Sequence, residues 1–550
     1  MSSSIEGSRK RALALVAGLT MIAALAAGGP ATAKRATSAA HSPNGPFTLT
    51  VLHNNDAESQ LIDAGSGLED FGGAARFKTL VDRLKERALR GASRGVLMLS
   101  SGDNFLAGPE FKASLDKGVP FYDSIAMDLI GYDAVAIGNH DFDFGPEVTA
   151  DFIEGTTGVP FLSANLDVGA EPDLAALEAA GRIAESTMVL ENGRKIGIVG
   201  ATTPALPFIS SPRNVVVDPD VADEVQQEVD ELTAAGANII ILISHLQSIS
   251  EDLDLAPMLS GVDIMIAGGG DELLANPNNT LIPGDAIFGP YPLWAEDMDG
   301  GMVPVITTSG AYRYVGRLVA KFDAQGDLLK AKGGPVRVSG VPPNPVSPDP
   351  AMLNMVTEPV EEALADLAAN VIATSQVALD GIRANVRTME TNEGLLIADA
   401  LLARATALAP SFGAPIPDVA LQNGGGIRND SIIAAGDITE LDTFDMVPFP
   451  NFVSVVPSIP RDQFKEILEN AVSRVEFTDG RFAQVAGFSF TYDPAGTPQI
   501  LNPDGTVATP GTRVKDVTLD GGTPIVVGGV VQPGAALNIA TIDFLARGGD

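Results

Sequence analysis

The sequence has 550 residues, of which 45% are hydrophobic and 19% are charged, and it contains no cysteine. This length predicts at least two domains, and the composition excludes a disordered or fibrous protein. The formal net charge of −35 argues against binding to a nucleic-acid polymer. Without cysteine there are neither disulfides nor thiolate metal sites, so any metal must be held by oxygen and imidazole ligands.

The chain begins with the pattern of a secretory signal peptide over residues 1–33. Basic residues at 9–11 precede an apolar run at 12–27, and small residues at 31–33 form a cleavage pattern. The alternative is an uncleaved anchor, but the run is shorter than the ~20 residues that span a membrane. Residues 34–46 form a polar tether. We expect an exported protein that is periplasmic, wall-associated or secreted, with no membrane span after cleavage.

From Phe47 onward, short apolar runs alternate with helical patterns. This alternation is typical of α/β layering around a largely buried sheet. The predicted strands are the runs FTLTVLH, GVLMLSSGD, YDAVAIGNH, KIGIVGAT, NIIILISHL, VDIMIAGG and VPVITTSG. Together they predict a first domain over residues 47–337.

A proline-rich break over residues 338–350 marks the expected domain boundary. A connecting helix is predicted over 351–370, with Pro359 kinking its first half, so the whole linker covers 338–371. The second domain, residues 372–550, again mixes helices and strands. Its predicted helices cover 391–408 and 461–474, and its predicted strands are PDVALQNGG, FVSVVP and FSFTYD.

Five of the predicted strands in the first domain end in polar clusters. The carboxyl ends of parallel strands meet at one edge of a sheet, where open α/β folds bind ligands. Any one cluster is more simply a helix cap or a turn, but five in succession indicate a site. The clusters are 54–58 (NNDAE), 102–104 (GDN), 138–143 (GNHDFD), 244–245 (SH) and 268–272 (GGGDE).

These clusters, read as motifs, carry a resemblance. The succession DxE, GDNFLAG, GNHDFDFG and SHL, followed by NGGGIR and FLARGGD in the second half, resembles the bacterial 5'-nucleotidase and UDP-sugar hydrolase family. The match covers essentially the whole chain after the leader. It implies a four-layer metallophosphoesterase sandwich domain followed by a second, mixed α/β substrate-binding domain.

The resemblance implies two divalent metal ions and a catalytic pair. Two neighbouring cations need a bridging carboxylate and a shared hydroxide as nucleophile, and Asp103 is the natural bridge. By resemblance, Asp56 and Asp103 serve one metal, while Asp103, Asn139 and His245 serve the other. The catalytic pair is His140 and Asp143. The remaining histidines, His41 and His53, are interpreted as structural.

The ligand set departs from the family pattern at two motifs. Glu58 stands where the family has histidine, and Gly269 and Asp271 stand where it has two further ligands; a shift of one residue would use Glu272 instead. Either the site has decayed or it has been rebuilt with oxygen ligands, and the two carboxylates favour rebuilding. A carboxylate-rich set favours Mn²⁺, Mg²⁺ or Ca²⁺ over Zn²⁺ without excluding Zn²⁺.

The second domain is expected to bind the substrate. Three arginines, two of them at i and i+4 and one following a triple glycine, supply local positive charge in an acidic chain. By resemblance, arginines bind anionic groups, two phenylalanines sandwich the base, and the last residue reads the ribose. The predicted substrate-binding residues are Arg383, Arg387, Asn423, Gly425, Arg428, Phe449, Phe544 and Asp550.

The resemblance implies hydrolysis of nucleoside 5'-phosphates to nucleoside and phosphate, with a small-molecule nucleotide as the partner. UDP-sugars and cyclic nucleotides stay open as substrates. Because the metals and the arginines fall in different domains, rotation about the 351–370 helix is a further hypothesis. The alternative function is a non-catalytic nucleotide- or phosphate-binding protein with a decayed metal site.

Overall fold

A computed structural model describes residues 45–502 and 505–549. The predicted signal peptide, residues 34–44 of the tether, His41 and Asp550 lie outside the described residues. The first half is built on two mixed β-sheets that pack face to face. Helices cover the outer face of each sheet, so this half has the predicted four layers.

The first sheet shows how the sequence sets the layers. Side chains alternate between the two faces of a strand: Leu49 and Val51 join the core between the sheets, whereas Leu52 joins the core under the outer helices. The strands, in spatial order, are Leu328–Arg337, Tyr314–Phe322, Phe47–Asn54, Arg94–Ser100, Ala134–Ala136, Phe161–Leu162 and Ile183–Ala184. The last five run parallel to one another.

The second sheet has a parallel centre with antiparallel edges. Its strands, in spatial order, are Leu293–Glu296, Met302–Ile306, Ile264–Gly268, Ile239–His245, Arg194–Thr202 and Ser186–Glu191. The central strands are nearly continuous runs of Ile, Leu and Val because both of their faces are buried. All seven strands predicted for this domain are confirmed.

The helices of the first half divide between the two outer layers. Those packed on the first sheet include Ala74–Ala88, Pro109–Lys117, Tyr122–Ile130 and Pro146–Glu154. Those packed on the second sheet are Val221–Ala234 and Ile249–Leu255. Short helices also occur at Pro172–Ala179 and Leu206–Ile209, with 3-10 turns at His140–Phe142 and Ala256–Met258.

The connecting segment differs in detail from the predicted kinked helix. A short helix, Pro350–Met352, leads into a π-helical turn at Leu353–Thr357, and a regular helix follows at Glu358–Ala369. Pro359 lies in the first turn of that last helix, where its missing N–H disturbs no intrahelical hydrogen bond. The irregularity therefore lies in the π-turn before the proline.

The second half is built on a four-stranded sheet flanked by two helices. Asn392–Phe412 packs alanines on one face of the sheet, and Arg461–Ala471 packs Phe464 and Leu468 on the other. The strands, in spatial order, are Val453–Ile459, Leu537–Ile542, Val419–Asn423 and Ala483–Ala486. The predicted helices and strands of this half are confirmed to within a few residues.

A second sheet and several small elements complete this half. The sheet contains Phe488–Tyr492, Val514–Leu519, Pro524–Val527 and Val530–Val531. Two-stranded pairs join Val371–Ser375 to Gly436–Thr439, Leu379–Asp380 to Ile432–Ile433, and Ile500–Leu501 to Val507–Thr509; in the first half Leu166–Asp167 pairs with Val216–Val217. The remaining helices are Arg383–Val386, Glu440–Met446 and Asp543–Ala546, with 3-10 turns at Gly424–Gly426 and Val475–Phe477.

One helix bears on the expected absence of a membrane span. Asn392–Phe412 has 21 residues and a mean hydropathy of 1.4, so by length and composition alone it could cross a membrane. Length and composition alone do not decide whether this helix spans a membrane, so the absence of a span stays a prediction. Ala398, Ala405 and Ala409 bury one stripe of this helix against the domain.

Candidate metal centre and substrate pocket

The polar clusters converge at the carboxyl ends of the parallel strands, as expected. Four residues of these loops have a positive φ, a backbone conformation that residues other than glycine rarely adopt. The φ angles are 50° at Asp56, 51° at Glu58, 49° at Asp103 and 88° at Gln247. Such conformations cost of order 1–3 kcal/mol each and tend to occur at functional sites. The surrounding structure therefore holds these side chains in place at the expense of local stability.

Asp56, Asp103 and His245 form a first buried cluster. One ligand atom from each lies within 4.8 Å of the others; His245 Nε2 is 3.0 Å from Asp103 Oδ2 and 4.0 Å from Asp56 Oδ1. His245 Nδ1 is 2.7 Å from the carbonyl oxygen of Ser101. An N–H donated to that carbonyl leaves the Nε2 lone pair free to coordinate a cation.

Asn139 completes this cluster together with a residue that the sequence did not single out. Asn139 Oδ1 lies 3.1 Å from His245 Nε2, and Gln247 Nε2 donates to the same oxygen at 2.5 Å. Gln247 directly follows the SHL motif in a loop, but the motif itself does not include it. Only the left-handed turn at residue 247 brings its amide to Asn139.

Glu58, Asp103 and His140 form a second cluster, again with ligand atoms within 4.8 Å of one another. Asp103 therefore belongs to both clusters, as a bridging carboxylate must. The backbone N–H of His140 donates to Asp103 Oδ1 at 2.8 Å, which fixes that carboxylate between the two groups. The donor set of carboxylates, imidazoles and an amide oxygen fits two divalent cations.

The electrostatics of the clusters point the same way. Burial raises the pKa of Asp56 well above its ordinary value, and the charges of Asp103 and Glu58 raise it further against the effect of His245. Burial likewise raises the pKa of Glu58. Burial would also raise the pKa of Asp103, but His245 and His140 outweigh it and lower that pKa. A divalent cation would relieve this crowding of buried carboxylates.

His140 and Asp143 form the predicted pair. His140 Nδ1 is 2.7 Å from Asp143 Oδ2, and the Ser210 hydroxyl donates to Asp143 Oδ1 at 2.9 Å. Burial lowers the pKa of His140, but Asp143 and Asp103 outweigh it and raise that pKa to about 9. A protonated imidazole held in one orientation is suited to proton donation at neutral pH.

The fifth motif departs from the sequence expectation. Gly269 has a φ of 86°, and a Cβ at that position would lie 2.7 Å from Gln247 N and 3.0 Å from His245 Nε2. Its backbone N–H instead donates to Asp56 Oδ1 at 3.0 Å. Asp271 is exposed and lies outside both clusters, although its charge raises the pKa of Glu58. Glu272, the alternative, also lies outside both clusters.

His53 has the structural environment expected for it. The residue is fully buried, its Nε2 is 2.9 Å from the Tyr291 hydroxyl, and burial lowers its pKa to about 3. It belongs to neither cluster among the described residues.

A pocket of about 240 Å³ joins the catalytic pair to the second domain. Phe449 lies next to His140, with a ring-centroid distance of 6.5 Å, and the Arg428 guanidinium lies 5.4 Å from the Phe449 ring centroid. The lining residues from the second domain are Arg387, Asn423, Gly425, Gly426, Arg428, Phe449, Pro450, Asn451, Gly480, Ile542, Asp543 and Phe544. Ile209, Ser210 and Ser211 join the catalytic pair on the other side.

The triple glycine shapes this pocket. Gly424 packs so tightly against the Val386 carbonyl that a Cβ would not fit, and Gly425 N–H donates to the Gly480 carbonyl at 2.7 Å. This close approach sets the turn that carries Arg387 beside the loop that carries Arg428. Arg387 is buried, as an anion-binding guanidinium inside a pocket would be.

Six of the eight predicted substrate-binding residues line the pocket. Arg383 is exposed and is not among the lining residues, and Asp550 lies outside the described residues. Sequence reasoning missed Ser210, which supports Asp143, and Ser211, which accepts a hydrogen bond from Arg547 Nη2 at 3.1 Å. No motif surrounds these serines, so only the fold identifies them.

The chain is similar to 5'-nucleotidases in both sequence and structure. The protein-family model of the 5'-nucleotidase C-terminal domain matches residues 371–550. A 5'-nucleotidase precursor of Thermus thermophilus has a crystal structure with a TM-score of 0.72 and 33% identity, covering 92% of this chain and 90% of that one. The 5'-nucleotidase of Diplobatis ommata is 29% identical over 457 residues, 82% of this chain and 75% of its own.

A third relative extends the same pattern. A trifunctional nucleotide phosphoesterase of Bacillus subtilis is 29% identical over 534 residues, which are 92% of this chain and 32% of that longer protein. The motifs, the layered fold and the paired clusters agree with these similarities. The chain belongs to the 5'-nucleotidase family of phosphoesterases.

Proposed function

We propose that this protein is an exported, metal-dependent 5'-nucleotidase that hydrolyses nucleoside 5'-phosphates to nucleoside and inorganic phosphate. The observation that carries the proposal is the pocket that places His140 and Asp143 opposite Arg387, Arg428 and Phe449. It combines an acid for the leaving oxygen, cations for the phosphate and an aromatic face for the base in one cavity.

Two divalent cations would be held by side chains of the two clusters. Asp56, Asp103, Asn139 and His245 surround one position, and Glu58 and Asp103 border the other. Bound there, the cations supply Lewis-acid activation of water and of the phosphoryl group. We add Gln247 as a supporting residue, because its Nε2 donates to Asn139 Oδ1 and so orients that side chain. Asp271 adds negative charge at the rim.

The protein's own groups then account for the leaving-group step. Water oxygen bonds to phosphorus, the bond from phosphorus to the 5'-oxygen breaks, and His140 gives its proton to that oxygen. Asp143, fixed by Ser210, orients the imidazole and stabilises its charge. Arg387 and Arg428 bind phosphate oxygens, while Phe449 and Phe544 stack on the base with little base preference.

The carboxylate-rich ligand set supports Mn²⁺, Mg²⁺ or Ca²⁺ over Zn²⁺. The pocket is bounded by both halves of the chain, and rotation of one half about the 351–370 segment would let substrate enter. UDP-sugars and cyclic nucleotides fit the same chemistry, since each presents a phosphoester to the same groups.

The test is phosphate release from AMP in the presence of Mn²⁺ by the parent and by His140→Ala. Loss of a positioned general acid should lower kcat by about 10²–10⁴-fold. Arg404→Gln, a change at an exposed helix position outside the pocket, is the control and should retain the parent rate. Equal rates for the parent and His140→Ala would refute the catalytic role and favour a binding protein.

A further inference from the structure

A second cleft in the first domain has the lining of an anion-binding site. It has a volume of about 490 Å³ and shares no lining residue with the catalytic pocket. Arg83 and Arg87 reach it from the helix Ala74–Ala88, and Arg337 reaches it from the strand Leu328–Arg337. The proline-rich segment at residues 343–346 forms another wall.

The lining of this cleft is positively charged. No Asp or Glu occurs among the described residues that line it. Arg83 Nη1 donates to the Pro345 carbonyl at 3.3 Å, and Arg337 donates to the carbonyls of Leu281 and Pro342, both at 3.0 Å. These bonds fix the direction of the guanidinium groups but leave their charge uncompensated.

Other arginines of this acidic chain are paired differently. Arg313 lies against Asp285, Arg481 lies 2.9 Å from Asp479, and Arg513 lies against Glu476. In a chain with a net charge of −35, this cleft has three arginines and no carboxylate among its described lining residues.

A fourth arginine increases the local charge. Arg317, half-buried on the adjacent strand Tyr314–Phe322, lies close enough to Arg87 for their charges to interact. Burial lowers the pKa of Arg317, and the guanidinium of Arg87 lowers it further despite the phenol of Tyr291. Arg87 itself donates no side-chain hydrogen bond within the described part of the chain.

We propose that this cleft binds a phosphate group through Arg83, Arg87 and Arg337. Guanidinium forks match the oxygens of phosphate and form charge-assisted hydrogen bonds with them. The other walls suit an attached organic group, since Leu80, prolines and valines supply apolar contacts and asparagine amides supply hydrogen bonds. The ligand is free inorganic phosphate or a phosphorylated small molecule such as a nucleotide.

Isothermal titration of the metal-loaded protein at low salt tests the proposal, with inorganic phosphate in one arm and a non-hydrolysable α,β-methylene nucleoside diphosphate in the other. The catalytic pocket binds both probes in every variant, so the cleft is measured as a difference. Arg87→Gln should lose one binding event relative to the parent, or weaken it at least tenfold. A loss confined to the phosphate arm identifies the free ion as ligand, and a larger loss with the diphosphate identifies the nucleotide.

Arg404→Gln removes the same charge from an exposed position outside the cleft and is the matched control. It should keep every binding event of the parent. The proposal would be overturned if Arg87→Gln kept the parent's number of sites and affinities in both arms. It would also be overturned by an equal loss in Arg404→Gln, because that loss would indicate a general effect of net charge. Unchanged thermal unfolding of Arg87→Gln excludes misfolding as the cause of any loss.

Discussion

Restoring the family's histidine at position 269 should harm the metal centre rather than repair it. The backbone there has a φ of 86°, and an added Cβ would lie 2.7 Å from Gln247 N and 2.9 Å from Gln247 Cα. A left-handed conformation costs a residue with a Cβ about 1–2 kcal/mol, and overpacking against backbone adds about 1–3 kcal/mol. Gly269→His should therefore destabilise the protein by about 2–5 kcal/mol.

Thermal unfolding of EDTA-treated and Mn²⁺-loaded protein measures this cost. At about 2–4 °C per kcal/mol for a large domain, the expected fall in Tm is roughly 4–20 °C. Gly269→Ala is the matched control and should lose most of the same stability, because the Cβ rather than the imidazole causes the clash. Glu58→His, at a position that already carries a long side chain, should be tolerated. A Gly269→His protein with the parent's Tm and a new preference for Zn²⁺ would refute this reasoning.

Three further outcomes are expected. Gln247→Ala should weaken Mn²⁺ binding about 10- to 100-fold by calorimetry, as removal of a residue supporting a metal ligand does; unchanged affinity would show that Gln247 has no such supporting role. Burial, with Asp380 and Asp442 opposing a hydrogen bond from Asn429, raises the pKa of Glu393 to about 7. A raised carboxyl pKa means stability present at low pH and lost as pH rises from the unfolded value of 4.5 towards 7, so Glu393→Gln should raise the free energy of unfolding above pH 8 by at most about 3 kcal/mol, seen as a higher Tm, and give no gain below pH 5. A bismaleimide bridge between Ser211→Cys and Arg547→Cys, in a chain with no other cysteine, should stop turnover of AMP; full activity of the bridged protein would end the domain-rotation hypothesis.

The pattern of apolar residues predicted the strands and helices well, because burial determines where apolar residues occur. Strands such as Ile239–His245 are buried on both faces, so their sequences are uniformly apolar and hard to mistake. Boundaries were less accurate where local chemistry competes. Pro359 predicted a kink, but the chain makes its irregular π-turn before the proline.

The contact between His140 and Asp143 was also predictable, since they lie three residues apart and need only a turn to meet; their catalytic role stays a prediction. Residues that act across long separations in the sequence were not predictable. Asp271 has a carboxylate at a position expected to coordinate, but the loop exposes it. Ser210 and Gln247 reach the site through loops whose sequences carry no pattern.

The sequence by itself determined the layered α/β fold, the family and the residues that follow each strand, because apolar periodicity and compact motifs are local properties. Only the tertiary structure decided which of those residues meet. It brought Asp103 into both clusters, left Gly269 no room for a side chain, and joined Arg387 and Phe449 to His140 across the two halves of the chain. Distances between residues far apart in sequence depend on how the layers pack, and no local pattern records them.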